Sequence, residues 1–338
     1  CIEPIAVVSV GYLIRRLGFF ALTAWAALTI NFVLPRLMPG NPAQVMIAKF
    51  QGKLSTQALR ALEIAFGLNV RQSLWDQYID YWRRLLKGDL GVSLTYYPTP
   101  VNEILRQSIP WTLGLVGAAT VVAFGVGTLL GIHSAWRRGR WAADTLVPVA
   151  LFLNSVPYFW FALVVLYVFA FVLGWFPLGA AYSVGESQSS FEFVRSVIRH
   201  GFLPFATIVV TAMGGWLLTI RNNMVSVLAE EYITFARAKG LPSRTVEYRY
   251  AARNAILPSF TAFSMAIGFV VGGALLTEMV FAYPGVGFVL YQAVTSLDYP
   301  LMQAIFLFIS LAVLVANFLA DLTLAFLDPR VRAGGSGQ

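Results

Sequence analysis

The uncharged windows of this chain constrain its fold more than any other feature. Residues 17–35, 107–136, 145–185, 200–220, 254–277 and 299–320 carry no Asp, Glu, Lys or Arg over 19, 30, 41, 21, 24 and 22 positions. A helix that crosses a bilayer needs roughly 20 mostly apolar residues, so each window is long enough for one crossing. In the 41-residue window, Pro177 and Gly179 are expected to end the helix near Trp175. The fold expected is an all-α membrane protein with six spans: 11–35, 110–132, 145–175, 202–220, 259–281 and 301–325. Composition agrees: 58% of residues are hydrophobic and 12% charged, against about 25% charged in soluble domains. The mean hydropathy is +0.71.

The net charge is +8. In a soluble protein that balance would suggest nucleic acid. Here the cations lie between apolar windows, where topology and anionic lipid account for them, and no nucleic-acid partner is expected. Arg137, Arg138 and Arg140 fall between spans 2 and 3, and six more cations fall between Arg221 and Arg253. The stretch from Pro284 to Asp298 has none. Cytoplasmic loops are enriched in Lys and Arg, so both termini are expected in the cytoplasm. The loop over 36–108 breaks the count with nine cations, but long translocated loops are largely exempt from the rule. The ends, 1–10 and 333–338, read as tails.

Two loops are more than connectors. In the external one, 36–108, a helix is expected between Ser55 and Gly67. A second carries the stripe Trp75, Tyr78, Ile79, Trp82, Leu85 and Leu86, with Asp76, Asp80, Arg83 and Arg84 opposite. Such an amphipathic aromatic helix suits a membrane interface, a lid on the bundle, or a docking surface. In the cytoplasmic loop, 221–258, a helix is expected over 227–239, stopped by Gly240. Pro242 cannot continue it, and Ser243 is a candidate cap for a fresh short helix. A helix, a sharp turn and a second helix make a rigid protrusion, fit either for a partner's groove or for no partner at all.

No G-x-x-x-x-G-K-[ST], G-x-S-x-G or H-E-x-x-H string occurs. His133, His200 and Cys1 offer no metal-ligand spacing. The chain is therefore read as a non-enzyme that binds no cofactor of its own. Glu278 and Asp321 are the acids near span ends, where intramembrane acids are candidates for function. With Asn31, Asn154, Ser155 and Asn317 they make up the candidate translocation pathway. An ion-gradient-driven carrier or channel stays open on these grounds.

Several strings carry a family likeness. The run Glu231-Tyr232-Ile233-Thr234-Phe235-Ala236-Arg237-Ala238-Lys239-Gly240-Leu241, followed by Arg253-Asn254-Ala255-Ile256-Leu257-Pro258, resembles the signature loop of binding-protein-dependent ABC importer permeases, most of all the oligopeptide/dipeptide branch. Leu37-Met38-Pro39-Gly40-Asn41-Pro42, Lys87-Gly88-Asp89-Leu90-Gly91-Val92-Ser93 and Ser155-Val156-Pro157-Tyr158-Phe159 are similar to further strings of that branch. So are Glu278-Met279-Val280-Phe281 with Pro284-Gly285-Val286-Gly287, Asp298-Tyr299-Pro300 and Asp328-Pro329-Arg330. The long first external loop is similar to that of the B-type permease. Thr234-Phe235-Ala236 stands where the wider family has Glu-Ala-Ala, and Asn41 stands where Asp is usual.

The resemblance implies a type I ABC importer permease in a prokaryotic inner membrane. It implies a second permease that is a different chain, two cytoplasmic ATPase subunits that bind ATP and Mg, and an external substrate-binding protein. It also implies that Ala236, Arg237, Lys239, Gly240, Leu241, Pro242, Ser243, Arg244 and Val246 form the coupling site for the ATPase. Relatives of this architecture import peptides, glutathione, nickel chelates or oligosaccharides.

Overall fold

The computed structural model describes residues 10–37, 73–183, 191–270 and 274–327. The helix expected at 55–67, the string after Leu37 and the Asp328-Pro329-Arg330 string lie outside them. Two compact units divide the chain: residues 1–107 with 289–338, and residues 108–288.

Among the described residues the regular structure is helical, apart from one isolated bridge between Val92 and Pro100. The helices are α1 (Val10–Leu37), α2 (Leu74–Leu86), α3 (Val101–Trp136), α4 (Trp141–Asp144), α5 (Leu146–Ser155), α6 (Tyr158–Val172) and α7 (Phe191–Leu228). They continue with α8 (Glu231–Ala238), α9 (243–269), α10 (Leu275–Val280), α11 (Val286–Thr295) and α12 (Tyr299–Leu327). Three stretches among them are long and apolar enough to cross a bilayer: Val101–Trp136, Phe191–Leu228 and Tyr299–Phe318. The bent pair α5 and α6, taken together, makes a fourth. The apolar part of α1, Gly18–Leu34, is shorter.

The single helix expected over 145–175 is instead two helices meeting at 95°. Pro157 has no N–H to donate, and the residue before a proline is pushed to extended backbone. Val156 accordingly sits at φ −78°, ψ 126°. The cation-free stretch from Pro284 to Asp298 contains α11.

In the first unit α1 packs along α12. The Phe20 and Phe318 rings lie 5.8 Å apart, and the Asn31 amide donates to the Gln303 carbonyl at 2.7 Å. The amphipathic α2 forms as its pattern predicts. Ser73 caps it by accepting from the Asp76 N–H at 3.2 Å. Its inner face meets α1: the Tyr78 and Thr29 hydroxyls are 2.8 Å apart, and Phe32 contacts Tyr78 edge-on at 5.2 Å. The buried carboxylate of Asp298 then joins two distant strings. It accepts from the Ser93 hydroxyl, from the Thr95 N–H at 2.8 Å and from the Leu301 N–H at 3.2 Å, which caps α12.

In the second unit α3 and α7 form the most extensive helix pair. Gly127 and Gly131 let the two backbones approach closely. A Cβ on Gly127 would lie 2.7 Å from the Trp216 Cβ, and one on Gly131 2.8 Å from the Leu217 carbonyl oxygen. Small residues four apart are a common device for close contact between membrane helices. Gly214 brings α7 just as close to α5, 2.8 Å from the Ala150 carbonyl by the same measure. Phe124 stacks on Phe263 of α9 at 4.2 Å.

Gly131→Leu is expected to force α3 and α7 apart, at a cost on the order of 1–3 kcal/mol or more, as for overpacked cores. Gly125→Ala, where a Cβ meets nothing within 4 Å, should be nearly neutral. Thermal unfolding of the two variants in detergent, followed by size-exclusion fluorescence, checks the contrast.

Candidate functional site

The cytoplasmic loop of the sequence reading lies wholly in the second unit. Helix α7 ends at Leu228, and Ala229 and Glu230 break the chain before α8 starts at Glu231. The helix expected over 227–239 is thus the end of one helix and the whole of another, because Glu230 is extended at ψ 144°. Helix α8 ends in a glycine-terminated turn. The Gly240 N–H donates to the Arg237 carbonyl at 2.9 Å and the Leu241 N–H to the Ala236 carbonyl at 3.4 Å, with Gly240 at φ +74°. Those two bonds, from the first and second residues past the cap, define the Schellman motif. Leu241 supplies its apolar contact by packing on the cluster that contains Ala236.

Pro242 then precedes a new helix. Its carbonyl accepts from Thr245 at 2.8 Å and from Val246 at 3.1 Å. Ser243 is the first helical residue, with Pro242 at the cap position and no side-chain cap bond, so the cap expected from Ser243 is not formed. Past Thr245 the helix widens into π-helical turns over Val246–Ala252 and returns to α geometry at Arg253.

One apolar cluster holds the loop. Ile233 and Ala236 of α8 and Val246, Ala251, Ala252 and Ala255 of α9 are buried against Ile220 and Met224 of α7 and Ile132 and Ala135 of α3. The Asn223 amide adds bonds to the Ala255 carbonyl at 3.2 Å and the Ser259 hydroxyl at 3.1 Å. Among the predicted coupling residues, Ala236 and Val246 are therefore buried supports and Leu241 is half-buried. Arg237, Lys239, Gly240, Pro242, Ser243 and Arg244 are exposed.

The sequence reading missed Phe235, 63% exposed, and the exposed rings of Tyr232, Tyr248 and Tyr250. The signal was available: an aromatic set off the apolar face of a short helix. Lys239 sits 4.6 Å over the Phe235 ring, and Arg237 5.4 Å over Trp136. Glu247 is buried on the inner side. Burial pushes its carboxyl above the usual carboxylate range, while His133, Arg137 and Arg244 pull it back.

The candidate pathway residues are not gathered into one place by either unit. Asn31 is buried in the first unit, and Asn317 is half-buried on α12. The backbone of Asp321 lies in α12, but its side chain is outside the described residues. In the second unit, Asn154 and Ser155 are exposed at the end of α5, where the Ser155 hydroxyl donates to the Leu151 carbonyl at 2.8 Å. Glu278 is fully buried. It accepts from the Thr112 hydroxyl at 2.8 Å and from the Gly287 N–H at 2.7 Å. A Cβ on Gly285 would fall 2.4 Å from its carboxylate. Among the described residues no group of three His, Cys, Asp or Glu could hold a metal ion.

Residues 127–333 match the family of binding-protein-dependent transport system inner membrane components. The chain belongs to that family. It is similar to the di/tripeptide transport system permease protein DppB of Pseudomonas aeruginosa, at 32% identity over 95% of this chain and 98% of that one. It is also similar to the oligopeptide transport system permease protein AppB of Bacillus subtilis, at 31% over 95% and 98%. A third relative is the probable D,D-dipeptide transport system permease protein DdpB of Escherichia coli, at 32% over 90% and 93%. This chain is thus the non-catalytic permease subunit of a binding-protein-dependent ABC transporter, an inner-membrane component that works with partner subunits and a binding protein.

Gly240→Val places a β-branched residue at φ +74°, where only glycine is free of strain. The expected cost is about 1–2 kcal/mol, read as earlier protease cleavage after Lys239. Phe235→Ala, at an exposed position, should leave that cleavage unchanged.

Proposed function

We propose that this permease imports peptides. It pairs with a second permease that is a different chain, and its α8–turn–α9 loop seats in a groove on one of two cytoplasmic ATPase subunits that bind ATP and Mg. The observation that carries the docking role is the contrast within the loop: a rigid alanine-rich inner face and an outer face exposing Phe235, Arg237, Lys239, Arg244 and Tyr248. A buried aromatic anchor beside guanidinium groups is the usual energetic centre of a protein interface. The peptide substrate is supported by the three relatives described above, each of them a permease named for peptide transport.

The proposal keeps six spans and cytoplasmic termini. Four come from the long helices and the bent pair, one from α1, and one from the end of α9 with α10. The positive-inside pattern at 137–140 and 221–253 supports the orientation. For the pathway, the exposed Asn154 and Ser155 at the α5–α6 break are the polar groups best placed to meet solute. Asn31 and Glu278 act on their own neighbours, and the bonds already described support that.

Phe235→Ala combined with Arg244→Glu is expected to weaken ATPase association on the order of 30-fold or more while the permease still folds. Co-purification and substrate-stimulated ATP hydrolysis in proteoliposomes read this out. Wild-type coupling in that double variant would count against the docking role, and uptake by this chain alone under an ion gradient would overturn the whole reading.

A further inference from the structure

We propose that the cleft between the cytoplasmic end of α3 and the start of α5 is a binding site for an anionic phospholipid. The lipid's phosphodiester headgroup would sit among His133, Arg137 and Arg140 and its acyl chains along α3. The cleft has a volume of about 340 Å³ and is lined by His133, Arg137, Arg140, Trp141 and Ala143. Four of those five side chains can donate to a phosphate oxygen, and guanidinium groups offer the two-pronged geometry that phosphate favours.

The site is built rather than incidental. The Arg140 N–H closes the turn on the Arg137 carbonyl at 3.1 Å, and Gly139 takes φ +89° to allow it. The buried Ser134 hydroxyl donates to the Ala143 carbonyl at 3.1 Å, fixing the far wall against α3. Two acids are near. Asp144 accepts from the Gly139 N–H at 3.4 Å, and the buried Glu247 is within electrostatic reach of His133, Arg137 and Arg244. Neither is part of the lining.

What singles out a lipid rather than a free anion is the surface above the cleft. Val122, Val126, Leu129 and His133 succeed one another at helical spacing on one face of α3, opposite the glycines that meet α7, and Arg137 caps the end of that helix. The three aliphatic members are exposed, Leu129 at 63%. Helix α5, packed beside α3, exposes Val149 and Phe152, the latter at 67%. Trp141, 80% exposed, stands at the level of the arginines, where an indole with one wet and one apolar edge belongs at a bilayer interface. An apolar stripe that runs down into a basic cleft matches an amphiphile with a negative head, and basic pockets beside membrane helices recognise such heads.

The proposal takes only the leaflet from the orientation argued above. Binding in detergent is read without it, so a wrong orientation and an empty cleft give different results. The test is native mass spectrometry of the transporter complex, purified through this chain, with phosphatidylglycerol, cardiolipin or phosphatidylcholine added. The anionic lipids should be retained on the order of tenfold better than phosphatidylcholine. R137Q/R140Q should lose that preference, R138Q, a charge loss outside the cleft, should keep it, and millimolar inorganic phosphate should not displace the lipid. Equal retention by R137Q/R140Q, equal loss in R138Q, or displacement by phosphate would overturn the site. So would retention by the isolated chain but not by the complex, since a second permease would then cover the stripe. If R137Q/R140Q does not assemble, a photoactivatable phosphatidylglycerol on the wild-type complex decides. Crosslinks in the peptide from His133 to Phe152 support the site, and crosslinks confined elsewhere overturn it.

Discussion

The close approach of α3 and α7 through Gly127 and Gly131 is the contact from which the architecture of the second unit grows. With no Cβ at either position, the two backbones come near enough for the next turns to interlock. Ile132 and Ala135 then meet Ile220 and Met224, and that same cluster receives Ile233 and Ala236 from α8 and four residues from α9. The loop is therefore an extension of the helix-pair core rather than a separate module resting on it. A change that separates α3 from α7 reaches the loop through contiguous packing, because interiors at near-crystalline density have little slack to absorb it.

Two buried carboxylates do comparable work, one in each unit. Asp298 holds the Ser93–Thr95 turn and caps α12, and Glu278 holds Thr112 and meets the first N–H groups of α11. Each carboxylate lies at the start of a helix, where unpaired N–H groups and the helix dipole favour negative charge. A buried carboxylate is costly unless its oxygens are occupied, and both are met by neutral donors at hydrogen-bond distance. The glycines around them follow from the same constraint, since a side chain on Gly285 or Gly287 would collide with Glu278.

Much of this was legible in the sequence, though unevenly. The amphipathic stripe of α2, the stop at Gly240 and the new start after Pro242 were read from local rules, because caps, positive φ and the missing proline N–H act over a few residues. The break between α5 and α6 was not, although Pro157 stood in plain view: apolarity measures length in lipid and is blind to a 95° change of direction. The family strings were recognised as strings, yet their meaning is pairwise. The Gly88–Ser93 run and the Asp298–Pro300 run are one contact, as are Glu278 and the Gly285–Gly287 turn. In the first of these the partners are some 200 positions apart, which leaves no periodicity to read. Ala236 and Val246, expected in the coupling site, prove to be buried, because sequence alone does not tell which face of a short helix turns inward.

The alanines of the loop bear on how a push would travel through it. Ala236, Ala251, Ala252 and Ala255 line the inner face. Side chains that short bring α8 and α9 close to α7 and leave few rotamers to yield under load. The flexible groups, Lys239, Arg244 and the exposed rings, are all on the outer face. On the proposed reading, compliance is confined to the surface that must fit a partner, while displacement beyond it is transmitted. The π-helical stretch Val246–Ala252 lies between the tip and the span, with four of its seven residues buried, so the one irregular segment in the path is also braced. A hinge there would need those four side chains to leave the core. Rigid-body tilting of the loop together with both α3 and α7 keeps that shared cluster intact, and is the motion this packing favours.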